Sequence, residues 1–216
     1  MRGKLSPLVA VFALALCAPA AAANFTAEIT DQDGHPVANA VVMLMPDAKG
    51  EMPAASSRLA PEKTVDQRDE TFIPLVTILP RGGRLVFANS DSTMHQVYSF
   101  SSIKQFEFTL PHGKTSPPVV FDKSGVAAIG CNIHDHMIAY AFVSDSPWAG
   151  LTGADGRVQI ADVPAGAYTA QIWHPHLAVG AAPTAHVTVG TDPGSLKTKI
   201  TIIADQTMHH MHGGDY

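Results

Sequence analysis

The stretch Val126-Ala127-Ala128-Ile129-Gly130-Cys131-Asn132-Ile133-His134-Asp135-His136-Met137-Ile138-Ala139-Tyr140-Ala141-Phe142-Val143 reads as strand, loop, strand. Residues 126–129 and 138–143 are short apolar runs, and the loop between them is short enough to join antiparallel neighbours directly. Upstream, residues 72–79, 84–88, 96–100, 105–110 and 119–122 repeat the pattern, with turn signals such as Arg81-Gly82-Gly83 and Lys123-Ser124-Gly125 between them. Several short strands at this spacing predict a β-sandwich or Greek-key barrel.

Farther out, residues 25–30 and 40–45 flank Asp31-Gln32-Asp33-Gly34-His35-Pro36, where Asp-Gly marks a tight reversal and predicts a β-hairpin. Residues 46–67 turn polar and rich in Pro, Ala and Ser without a period, the pattern of a long surface connection. Beyond Ser146-Pro147-Trp148, strand-like runs return at 157–160, 163–166, 168–173, 186–189 and 197–203, with a second Asp-Gly turn at Asp155-Gly156. The chain is therefore expected to be all-β, with a first flank at 24–63, a central unit at 64–145, a second flank at 146–204 and a mobile His/Met-rich tail at 205–216.

Of 216 residues, 46% are hydrophobic and 15% charged, enough apolar material for a sizeable core and too much for a disordered chain. Arg2 and Lys4, the apolar residues 8–16 and Ala21-Ala22-Ala23 have the order of an export signal, placing the mature start at Asn24 and the protein in the periplasm. Leu16 before Cys17 is larger than a lipoprotein anchor requires, and no segment reaches the roughly 20 apolar residues of a membrane span. Without the leader, 12 basic residues face 19 acidic ones, a charge of −7 that disfavours nucleic acid and attracts basic partners over distance. Cys131 is then the single cysteine of the mature chain, in a compartment where thiols tend to pair.

The loop arranges Cys131, His134 and Met137 as C-x2-H-x2-M. Thiolate, imidazole and thioether together suit copper, and a Cys with two His and a weak axial Met is the donor set of a type 1 electron-transfer site. His95, just before the strand-like run 96–100, is the natural second imidazole, and His136 is an alternative to His134. Zinc is the competing metal. His174 and His176 alternate at a strand exit, as exposed polar residues or a further metal pair, while His209, His210, Met211 and His212 form a soft, imidazole-rich tail able to catch copper. His35 and His112 lie in turn contexts with no assigned role.

Residues 89–95, 125–131 and the C-x2-H-x2-M loop resemble the cupredoxins, those of the amicyanin and plastocyanin kind. Phe87-Ala88-Asn89-Ser90-Asp91, His95-Gln96-Val97-Tyr98-Ser99-Phe100 and Gly130-Cys131-Asn132-Ile133-His134-Asp135 are most similar to cupredoxin-like methylamine utilization proteins. The resemblance covers about residues 64–145 and implies a Greek-key sandwich holding one type 1 copper on His95, Cys131, His134 and Met137. It also implies single-electron exchange with a redox protein such as a cytochrome or an amine dehydrogenase. Departures are Met94 in place of the usual Pro, Gln96 in place of the frequent Asn, and Ile129-Gly130 without an aromatic next to the Cys. Residues 29–42 and 152–168 resemble the two halves of a carboxypeptidase regulatory-like β-sandwich, implying a small non-catalytic module into which the copper unit is inserted or against which it packs.

No second metal site of the kind that binds and reduces a substrate is legible, so the expectation is a carrier and not an enzyme. The alternatives are a copper carrier or accessory factor, a structural sandwich with an inert Cys131, and a hydrolase with Cys131 as nucleophile, which lacks a legible orienting residue.

Overall fold

The computed structural model of the protein describes residues 22–48, 52–178, 180 and 183–203. The tail expected at 205–216 and all of the expected leader but Ala22 and Ala23 lie outside the described residues. Those two alanines open the first strand, paired with Pro164 and Val163. Among the described residues no helix is long and apolar enough to cross a membrane.

The chain is all-β. Its strands are β1 (Ala22–Thr30), β2 (Val41–Pro46), β3 (Glu62–Arg68), β4 (Thr71–Ile73), β5 (Val76–Pro80), β6 (Gly83–Asn89), β7 (His95–Ser101) and β8 (Lys104–Leu110). They continue as β9 (Val119–Phe121), β10 (Gly125–Cys131), β11 (Ile138–Ser144), β12 (Ala149–Leu151), β13 (Arg157–Pro164), β14 (Gly166–Trp173), β15 (Thr184–Val189) and β16 (Gly194–Lys199).

Strands β3 to β11 form two facing sheets, β5-β11-β10-β7-β8 and β4-β3-β6-β9. Inward residues of both, among them Phe72, Leu79, Leu85, Phe87, Val97, Phe121 and Ile129, make one apolar core. The remaining strands form β13-β1-β16 and β12-β2-β14-β15 around a second core that includes Phe25, Ile29, Leu44, Trp148 and Ile172. A small third cluster of Val41, Val76 and Phe142, with the Trp173 ring against Tyr140 and Phe142, joins the two.

Three local expectations are corrected. β1 and β2 do not form a hairpin: β1 pairs with β13 and β16, and β2 with β12 and β14. The Asp33-Gly34 turn does form, with Gly34 at φ 93° and its N–H donated to the Asp31 carbonyl. The Asp31 N–H to His35 carbonyl bond, the single bridge Thr30↔Pro36 and the Val37 N–H to Ile29 carbonyl bond follow it before Asn39, at φ 60°, redirects the chain into the other sheet. The polar stretch read as a surface connection to residue 67 ends as β3, parallel to β6, with Val65 and Gln67 facing the core. Because alternate strand residues face opposite ways, two inward side chains suffice to anchor a strand whose other face is charged. Residues 72–79 likewise split at Pro74 into β4 and β5, which belong to different sheets.

Candidate metal centre

Strand periodicity aims the donors. In β7, His95, Val97 and Ser99 are buried and share the inward face, while Gln96 and Tyr98 point the other way. In β10, Ala127, Ile129 and Cys131 face the same core. The two strands are antiparallel neighbours with Cys131 opposite Val97, so His95 and Cys131 meet at the end of one sheet. The Asn132 N–H donated to the Gln96 carbonyl extends this ladder by one bond, and the Met137 N–H donated to the His134 carbonyl closes the loop back toward β11.

His95 Nδ1 lies 3.6 Å from Cys131 Sγ, and one ligand atom each of His95, Cys131 and His134 fall within 4.8 Å of one another. His95 is fully buried, and Cys131 and Met137 are almost so, the last two belonging to the same core cluster. The His95 and His134 ring centroids are 5.2 Å apart. Three of the four expected donors are thus gathered at one point, and Met137 is buried at the end of the same loop. His136, the alternative imidazole, is half exposed and outside the three-donor group.

Both imidazoles are backed by carboxylates. His95 Nε2 is 2.8 Å from Asp91 Oδ2, and the same carboxylate accepts the Asp69 N–H at 2.5 Å and the Glu70 N–H at 3.1 Å. Burial works to raise the Asp91 carboxyl, but the hydrogen bonds from His95 and the two amides outweigh it and hold it below the usual carboxylate range. An ionised carboxylate only accepts, so the His95 proton sits on Nε2 and the Nδ1 lone pair faces the sulfur. His134 Nε2 faces Glu70 Oε1 at 3.4 Å, while His134 Nδ1 is buried with no hydrogen-bond partner among the described residues. Leaving such an acceptor desolvated and unpaired costs about 1 to 3 kcal/mol. A bare imidazole nitrogen beside a buried sulfur and a second imidazole lone pair is what a soft cation would complete.

Several residues at this centre escaped sequence reasoning. Asn89 holds the loop before His95 by donating its amide to the Thr93 and Leu110 carbonyls, and its side-chain oxygen accepts the Asp91 N–H. His112, given no role from sequence, hydrogen-bonds the Asp91 carbonyl. Tyr98 lies across Gly130, where an added Cβ would come within 2.8 Å of its ring. The aromatic missing next to Cys131 therefore arrives from the neighbouring strand. Glu70 sits in the two-residue turn between β3 and β4, with Asp69 and Glu70 at φ 51° and 53°. Left-handed non-glycine residues cost about 1 to 3 kcal/mol each, which the Asp91 carboxylate offsets by taking both amides.

His174 is buried, contrary to its reading as an exposed strand-exit residue. Its Nε2 lies 3.2 Å from the Ala38 carbonyl and its Nδ1 accepts the His176 N–H, a use of both ring nitrogens that leaves none for a metal. Burial, aided by His176, pushes its pKa below 6.5 against the opposing Ala38 bond. The unfolded chain therefore takes up the proton first: stability is full above pH 6.5 and declines as pH falls below it. Thermal unfolding followed across that range is expected to show this slope, and His174→Gln to flatten it. Asp31, Asp33 and His35 form a second three-donor group, in an exposed turn whose backbone amides already occupy Asp31 Oδ1.

No protein-family model matches the chain, and no curated protein matches it. Solved structures similar to it include a novel purple cupredoxin from Nitrosopumilus maritimus, 22% identical, covering 38% of this chain and 98% of that one with a TM-score of 0.34. Amicyanin from Paracoccus versutus is 15% identical, covering 47% and 98% with a TM-score of 0.36. A Cu-containing nitrite reductase from Thermus scotoductus is 22% identical with a TM-score of 0.36, covering 55% of this chain and only 28% of that one.

Proposed function

We propose that the chain is a periplasmic single-electron carrier holding one type 1 copper on His95, Cys131, His134 and Met137. The observation that carries this reading is the buried, unpartnered Nδ1 of His134 converging with Cys131 Sγ and the free face of His95. Bound there, copper would supply a one-electron couple. The residues supply rigidity: His95 and Cys131 stand on adjacent strands of one sheet, and Asp91 fixes the His95 ring. A donor set that barely moves between oxidation states exchanges electrons quickly. The loop side exposes Ile133 and Ile138, a modest apolar patch of the kind that serves small, transient redox encounters. The partner is a cytochrome or amine dehydrogenase, and the methylamine context rests on the sequence resemblance of residues 87–91, 95–100 and 130–135 alone.

The test is to add Cu(II) to the purified mature chain. An intense visible sulfur-to-copper band with a reversible one-electron wave supports the reading. A colourless protein that gives up Cu(I) readily to a chelator would instead make it a copper carrier, against which the near-complete burial of His95, Cys131 and Met137 argues.

A further inference from the structure

We propose that Glu70 is a positioning residue for His134, presented by a strained turn that Asp91 clamps to His95, and that it biases the centre toward Cu(II). This rests on the copper reading above. The hairpin between β3 and β4 closes through Asp69 and Glu70 alone, between the paired Arg68 and Thr71. A two-residue turn with both φ values positive favours Asn-Gly or Gly-Gly, so a glutamate there forgoes local stability. An outlier of this kind is maintained where its side chain has a task. The Glu70 carboxylate meets His134 Nε2 at 3.4 Å and His136 Nε2 at 3.8 Å.

The connection to the centre is physical at each step. Asp91 Oδ2 accepts from His95 Nε2–H and from the Glu70 amide, Oδ1 accepts from the Asp69 amide, and the Thr71 hydroxyl donates to the Asp69 carbonyl. One buried carboxylate thus joins the His95 ring to the turn that aims Glu70 at His134. With its proton drawn to Nε2, His134 keeps the Nδ1 lone pair directed at the site, where it has no partner among the described residues. A carboxylate behind a ligating imidazole makes it a stronger donor, and a stronger donor favours the more highly charged ion.

The experiment compares wild type, Glu70→Gln and Glu70→Gly by competition titration with Cu(II) and, separately, Cu(I), and by thermal unfolding of the metal-free proteins. Both variants are expected to lose about 10- to 100-fold in Cu(II) affinity and far less in Cu(I) affinity, with a corresponding rise in reduction potential. Metal-free Glu70→Gly is expected to melt higher than wild type, because glycine relieves the turn; a merely structural role would move stability and leave the Cu(II)/Cu(I) ratio alone. If wild type shows the sulfur band while both variants keep its ratio within about threefold, against the 10- to 100-fold expected of such partners, Glu70 has no such role and the copper reading stands. A wild type that takes up no copper overturns both.

Discussion

Replacing one sulfur by oxygen, Cys131→Ser, is expected to abolish the intense visible band of the Cu(II)-loaded protein and nearly all of the stability that copper adds. The band needs the sulfur because it is a thiolate-to-metal transition, and oxygen has no equivalent at low energy. A ligand that binds only the folded state at 1,000 times its dissociation constant raises stability by about 4.1 kcal/mol. Losing the strongest soft donor removes most of that increment. The metal-free protein changes little: the serine hydroxyl can donate to His95 Nδ1, as the thiol does across 3.6 Å. A net change of about 1 kcal/mol moves the melting temperature of a chain this size by about 2 to 4 °C. Absorption spectra and thermal unfolding with and without Cu(II) check both halves of the expectation. Equal copper-dependent stabilisation in wild type and variant would leave Cys131 as an inert core residue.

Three of the proposed donors lie in one short loop, where spacing alone suggests a chemistry. His95 was suggested for a different reason, its place just before the strand-like run 96–100, and the structure makes it the first residue of β7 beside β10. The groups that orient these ligands were hidden. Asp91 is four residues before His95, but its other two bonds reach to Asp69 and Glu70 in a hairpin of the facing sheet. That hairpin carries no Gly or Asn, and Asp69 followed by a glutamate is a weaker turn signal than Asp-Gly, so residues 69–70 did not stand out.

The fold divides in the same way. Most strands of the central region follow from short apolar runs and the turn signals between them, β3 and the division of β4 from β5 being the exceptions. Partnership did not: the hairpin predicted at Asp33-Gly34 has a correct turn and wrong strands, because β1 takes its neighbours from residues 157–164 and 194–199. A turn signal is local, whereas sheet membership is decided by cores assembled from distant segments. The three-residue strand β12 was missed, since its pairing with β2 uses backbone groups and its side chains are only half buried.

Phe87→Ala is expected to lower the stability of the sandwich formed by β3 to β11 by about 3 to 5 kcal/mol, a large share of the 5 to 15 kcal/mol typical of a domain. Phe87 is fully buried in β6, with ring centroids 5.7 Å from Phe106, 5.7 Å from Phe108 and 6.5 Å from Phe72. Truncation opens a cavity between two sheets that cannot close without breaking ladder bonds. Phe25→Ala makes the matching cavity in the other core, where Phe25 is also fully buried. Among the described residues the two cores meet through a third cluster of Val41, Val76 and Phe142, with Met43, Ile78, Tyr140 and Trp173 packed against it. If the inner sandwich unfolds first, the outer one holds a longer flexible loop, and loop-closure entropy rises only about 0.6 kcal/mol per doubling of length. The outer sandwich can therefore outlast the inner one. Calorimetry is expected to show two transitions, with copper raising the one that Phe87→Ala lowers and leaving the one that Phe25→Ala lowers in place. A single transition shifted by either variant and by copper would mean that the third cluster is strong enough to fuse the two sandwiches into one cooperative unit.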